Sequence, residues 1–180
     1  MASIESLIDV LVRCVPGLDP APLWASPPVS TAQLDVLNWI TGNLQPQGLL
    51  AYEEWKEYFG HVPDLRPLSA IDMTAFDSGY VIGIAGDIDE ERLTPELAYS
   101  LPYELPYLEY MNAYLRGHGL RVVDLLPFEN AFMLAVKDDE SLLEQLALSL
   151  RPFGMDVHTR AALDEEGVQA YVEQLLSGRA

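Results

Sequence analysis

The chain has 180 residues, 28 of them acidic and 10 basic, for a net charge of −18, and 49 % of it is apolar. That apolar share buries a core and excludes a disordered polyelectrolyte. The acidic residues are spread over the whole chain, which disfavours nucleic-acid phosphates and anionic membrane surfaces as partners and favours cations or basic proteins.

Cys14 is the single cysteine, so no intrachain disulfide and no four-cysteine zinc site can form. Its apolar surroundings suit a small buried hydrophobe better than a reactive thiol. The first residues lack the basic start of a secretory signal, and Glu5 and Asp9 interrupt the apolar pattern. The longest uncharged run, Val36 to Tyr52, contains Gly42, Asn43 and Pro46 and would break as a membrane helix. The expected location is the cytoplasm. Two lysines beside eight arginines, with abundant Leu, Ala and Pro, suggest a bacterial source.

In chain order, Ser3 caps a first helix whose buried face is Ile4, Leu7, Ile8, Leu11 and Val12, and Pro16-Gly17 stops it. Residues 15–29 hold five prolines and read as an extended connection, pinned by Trp24. A second helix starts at Ser30 or Thr31, with Leu34, Leu37 and Ile40 inward. Leu49 to Tyr52 suits a strand and Glu53 to Phe59 a helix. Residues 70–76 alternate and predict a strand, and Tyr80 to Ala85 is a β-branched run suited to a central strand. Pro95 and Pro106 each open a helix. Leu120 to Leu126 and Ala131 to Val136 form a hairpin around 127–130. Asp138 or Asp139 caps a helix facing inward through Leu142, Leu143, Leu146 and Leu150. A short strand at 155–159 follows, and Asp164 caps a final helix.

From 79 to 160 this order resembles the split β-α-β-β-α-β of ferredoxin-like folds. The expectation is a single α+β domain over 1–180. Within it, 1–68 is a mostly helical N-terminal extension and 69–180 holds the sheet core, with a C-terminal helix.

No catalytic or nucleotide motif emerges. Gly83-Ile84-Ala85-Gly86 lacks the third glycine of a dinucleotide loop and the Gly-Lys-Ser/Thr of a phosphate loop, and reads as close backbone packing. His61, His118 and His158 share no ligand spacing. Asp87, Asp89 and Glu90 form the densest acidic run ahead of the C-terminal helix and are the candidate cation ligands. Their spacing matches no calcium loop, and a solvated helix approach explains them as well. No cofactor is expected.

Tyr99, Tyr103, Tyr107, Tyr110 and Tyr114 recur at helical spacing. Tyr107, Tyr110, Met111 and Tyr114 share one side of the helix after Pro106, with Glu109, Asn112 and Arg116 opposite. Tyrosines at a helix margin suit an interface, and Tyr103 and Tyr107 are the candidate partner-binding residues. The competing arrangement is an internal tyrosine layer hydrogen-bonded beneath a loop. The functional expectation is a non-enzymatic acidic binding or regulatory protein that engages a protein partner, basic in character, or a second copy of itself. The alternatives are a ferredoxin-like domain sensing a small molecule, and an enzyme using scattered carboxylates and a histidine.

Overall fold

A computed structural model of the chain describes residues 3–54 and 57–178. Ser3 opens α1 (Ile4–Cys14) by accepting the Ser6 N–H, and Leu7, Ile8, Leu11 and Cys14 form its buried side; Val12 instead faces outward. The proline-rich connection is not purely extended. It contains α2 (Ala21–Ala25), anchored by the fully buried Leu23 while Trp24 stays half-exposed. In α3 (Gln33–Leu44), Val36, Leu37, Trp39, Ile40 and Leu44 are buried and Leu34 points out.

Strand β1 (Leu50–Glu53) follows, then α4 (Arg66–Ser69), α5 (Tyr80–Gly86), α6 (Pro95–Glu104) and α7 (Tyr107–Arg116). Strands β2 (Leu120–Leu126) and β3 (Ala131–Lys137) form the expected hairpin, and α8 (Glu140–Leu150) leads to β4 (Asp156–His158) and α9 (Glu165–Leu176). Asp139 and Asp164 cap α8 and α9 by accepting the N–H groups of Leu142 and Gly167. Removing the Asp164 carboxylate leaves the Gly167 N–H without that acceptor. Asp164→Ala is expected to cost about 1 kcal/mol. A thermal melt should show Tm falling by roughly 2–4 °C.

The fold is α+β, with a four-stranded antiparallel sheet in the order β1-β3-β2-β4. Side chains alternate between its faces. Leu50, Val123, Leu125, Leu134, Val136 and Val157 pack under α1, α3 and α8. Ala51, Val122, Met133 and Ala135 pack on the other face with α7 and α9. Helices on both faces make three layers.

Several expectations are corrected. Residues 80–85 are helical rather than the first strand of the sheet, so the 79–160 segment supplies only β2, β3 and β4. The strand beside β3 is β1, which lies inside the stretch expected to be a helical extension. In the observed order, β4 pairs with β2 on the edge opposite β1. Residues 70–76 are turns. Asp72 accepts from the Thr74 N–H and Asp77 from the Gly79 N–H, and these local bonds replace a ladder. The expected helix over 53–59 gives way to the end of β1 at Glu53 and a turn from Glu57 to Gly60, with residues 55 and 56 outside the described ones.

Candidate functional site

The charges sort by position in the fold. Of the acidic residues only Asp124 is buried, and most of the others are exposed. The described arginines are all engaged within the chain. Arg13 bonds Gln145, Arg66 the Gly17 carbonyl, Arg92 pairs with Glu173, Arg116 and Arg121 with Asp138, Arg151 with Asp156 and Arg160 with Asp124. Five of these seven arginines are themselves solvent-exposed, so the negative potential follows from the excess of carboxylates, most of which face water.

Two arginines are almost fully enclosed. Arg121 donates to Asp138 at 2.8 Å and to Glu140 at 2.6 Å. Arg160 forks onto Asp124 through Nε at 2.8 Å and Nη2 at 3.1 Å, and its Nη1 reaches Glu109 at 2.9 Å. Burial alone would lower the Arg160 guanidinium's pKa, but the hydrogen-bonded Asp124 and the charge of Glu109 outweigh it and hold the value above its ordinary one. The second oxygen of Glu109 is buried and accepts no hydrogen bond among the described residues. Among the described residues Arg160 is also the non-glycine residue at positive φ, 50°, so the chain leaves β4 through a left-handed turn.

Asn112, 1 % exposed, completes this seam. Its Oδ1 accepts the Val122 N–H at 2.7 Å and its Nδ2 donates to the Val122 carbonyl at 2.9 Å. Strand β4 pairs with β2 only from Asp124 to Leu126. Beyond that the carboxamide stands in for the missing strand residue, giving Val122 both a donor and an acceptor. Nδ2 also reaches the Arg160 carbonyl at 3.1 Å, tying α7, β2 and the turn after β4 together. The residue expected on the outer side of the tyrosine helix is thus among its most buried. The signal in the sequence was Asp124, a carboxylate set between the apolar pairs Val122-Val123 and Leu125-Leu126, which demands a buried cation.

The tyrosines divide. Tyr107 is fully buried, and its hydroxyl donates to the His61 carbonyl at 2.9 Å, so its ring is not available to a partner. Tyr110 packs against Phe76 and Tyr80, and the Tyr114 hydroxyl donates to the Asp72 carbonyl. These three form a layer beneath residues 72–80. Tyr103 lies on α6, 38 % exposed, with its ring 6.4 Å from that of the exposed Tyr99. Burial pushes the Tyr58 and Tyr107 phenols well above the usual tyrosine range. In the unfolded chain both ionise near pH 10. The folded protein then binds more protons than the unfolded one above that pH, so the stability from these buried neutral phenols is lost as pH rises. An alkaline titration should show a late rise in tyrosinate absorbance that coincides with loss of circular dichroism. Ionisation of every tyrosine near pH 10 without unfolding would contradict the burial.

Asp87 and Asp89 are exposed, and Asp89 accepts the Glu91 N–H at the start of a 3-10 turn, Glu90–Arg92. Neither they nor Glu90 belong to a metal-binding group; among the described residues no three His, Cys, Asp or Glu side chains are placed to hold an ion. His61 Nε2 lies 3.5 Å from Glu53, and His158 Nδ1 lies 3.8 Å from Asp124, at opposite edges of the sheet. His118 packs on the Tyr114 ring just after α7. Cys14 is buried, and burial raises its thiol's pKa. Gly83 and Gly86 lie in α5 with open space around them, so close backbone packing does not account for either.

A groove of about 410 Å³ runs beside β1, lined by Leu50, Ala51, Tyr52, Glu53, Asp64 and Arg66. No described helix is long and apolar enough to cross a membrane. Comparison with known proteins returns no family model, no curated protein and no solved structure that matches the chain.

Proposed function

We propose that the chain is a binding protein whose partner is a basic protein. One observation carries this reading: carboxylates far outnumber cationic groups and most of them face solvent, while the described arginines, exposed or buried, are each already bonded within the chain. Such a surface steers cationic molecules toward it over about 8–10 Å at physiological ionic strength and repels polyanions. The exposed pair Tyr99 and Tyr103 offers rings that lie against a partner while their hydroxyls stay wet, so Tyr103 is retained as a contact residue. Placement in the cytoplasm and a protein rather than small-molecule partner belong to the same proposal. The protein's own intact chain, immobilised and exposed to a lysate of its source organism, tests it. The captured proteins should be predominantly basic and should elute as salt is raised to about 0.5 M. Capture of acidic proteins, or retention indifferent to salt, overturns the reading.

A further inference from the structure

We infer that the outer edge of β1 is the docking strand for an extended, basic segment of that partner, which adds to the sheet as a fifth strand. The inference rests on the basic-partner reading and names where and how contact is made. Strand β1 ends the sheet and pairs with β3 alone. Alternate residues of a strand aim both N–H and C=O to the same side. Two of the four residues of β1 therefore present an unpaired donor and acceptor outward, and no hydrogen bond among the described residues joins that side of Leu50–Glu53 to another segment. Backbone groups aligned in this way are a template for strand addition.

The surroundings select the occupant. The groove leaves room along the strand, about 14 Å at 3.4 Å per residue, for some four residues of an extended peptide. Glu53 and Asp64 line it, and Glu54 and Glu57 stand exposed just beyond. Arg66 lines it too, but its guanidinium is drawn 2.6 Å from the Gly17 carbonyl. Tyr52, 40 % exposed, is braced by its ring contact with Phe132 and by Asn130 Nδ2 on its hydroxyl, and gives an arginine a flat surface to stack on. A second copy of this chain fits the edge less well, because each copy carries −18. The other edge, β4, is only three residues long, and its Asp156 is already paired with Arg151.

The probe is a short synthetic peptide alternating arginine with valine, added to the full chain labelled for amide NMR. Two controls are the same peptide N-methylated at alternate amides, and a version with glutamate in place of arginine. The expected result is binding that shifts the amides of residues 50–53 and protects them from exchange. Affinity should fall at least about tenfold on N-methylation, since each methyl removes a ladder donor. Glu53→Gln with Asp64→Asn should weaken binding severalfold and shift its salt dependence. If the methylated peptide binds as well, or the shifts map elsewhere, edge docking is overturned while the basic-partner reading stands. If the glutamate peptide binds equally, or the arginine peptide does not bind, both fall.

Discussion

Replacing Arg160 with methionine is expected to cost about 3–5 kcal/mol of stability. The substitution leaves Asp124 and Glu109 facing each other in an enclosed site without the guanidinium that joins them. Methionine fills similar volume and, like arginine, is not glycine, so the cost of the left-handed backbone is common to both. Arg160→Lys should fall between, because a point charge cannot fork onto Asp124 while also reaching Glu109. Adding Asp124→Asn and Glu109→Gln to the methionine variant should recover part of the loss, since the penalty comes from uncompensated charge. Urea melts followed by circular dichroism measure each step. A single methionine variant within about 1 kcal/mol of the parent would mean that the two carboxylates regain water without disturbing the fold.

Asn112→Leu comes next, at roughly 2–5 kcal/mol. Leucine is close in volume and a better helix former, so any loss is polar in origin. It strands the N–H and carbonyl of Val122 at the point where β2 has run past β4, and removes the donor to the Arg160 carbonyl. Asn112→Asp separates the contributions, because it keeps the acceptor for the Val122 N–H but sets a carboxylate against two carbonyls. It should be no milder than leucine. Accelerated exchange of the Val122 amide in either variant identifies the broken bond directly.

The elements readable from the sequence were those with both a boundary signal and a clean period. Ser3, Asp139 and Asp164 mark their helices, and the 127–130 turn separates two strands whose apolar runs match the sheet. The misreading at Tyr80–Ala85 has a physical source. A short β-branched run fits a buried strand or one turn of helix equally well, and what decides is whether a partner strand exists. The places beside β3 and β2 are taken by β1 and β4. With no ladder to join, the run coils, leaving only Val81 fully buried and Ile82 46 % exposed. The 70–76 segment carried a better signal than its alternation. Asp72-Met73-Thr74 and Asp77-Ser78-Gly79 are both sequences in which a carboxylate bonds a backbone N–H two residues on. Of the candidate sites, the acidic surface was legible from composition. The docking edge was not, because which strand ends a sheet depends on pairings between distant segments.

That dependence shapes how the molecule assembles. Strands β2 and β3 meet across a tight turn, and β4 returns after a single helix, so this part closes through short loops. Strand β1 must find β3 across roughly 80 residues of intervening chain, a contact whose closure entropy is met only late. The hairpin is thus expected to form first, and the first strand in the chain to join the sheet last. Local opening is expected to begin at β1, whose amides should exchange at a lower opening free energy than those of Val123 or Leu134. A strand that detaches at small cost can also shift its pairing a little to meet an incoming chain, so the late-arriving edge is the compliant one.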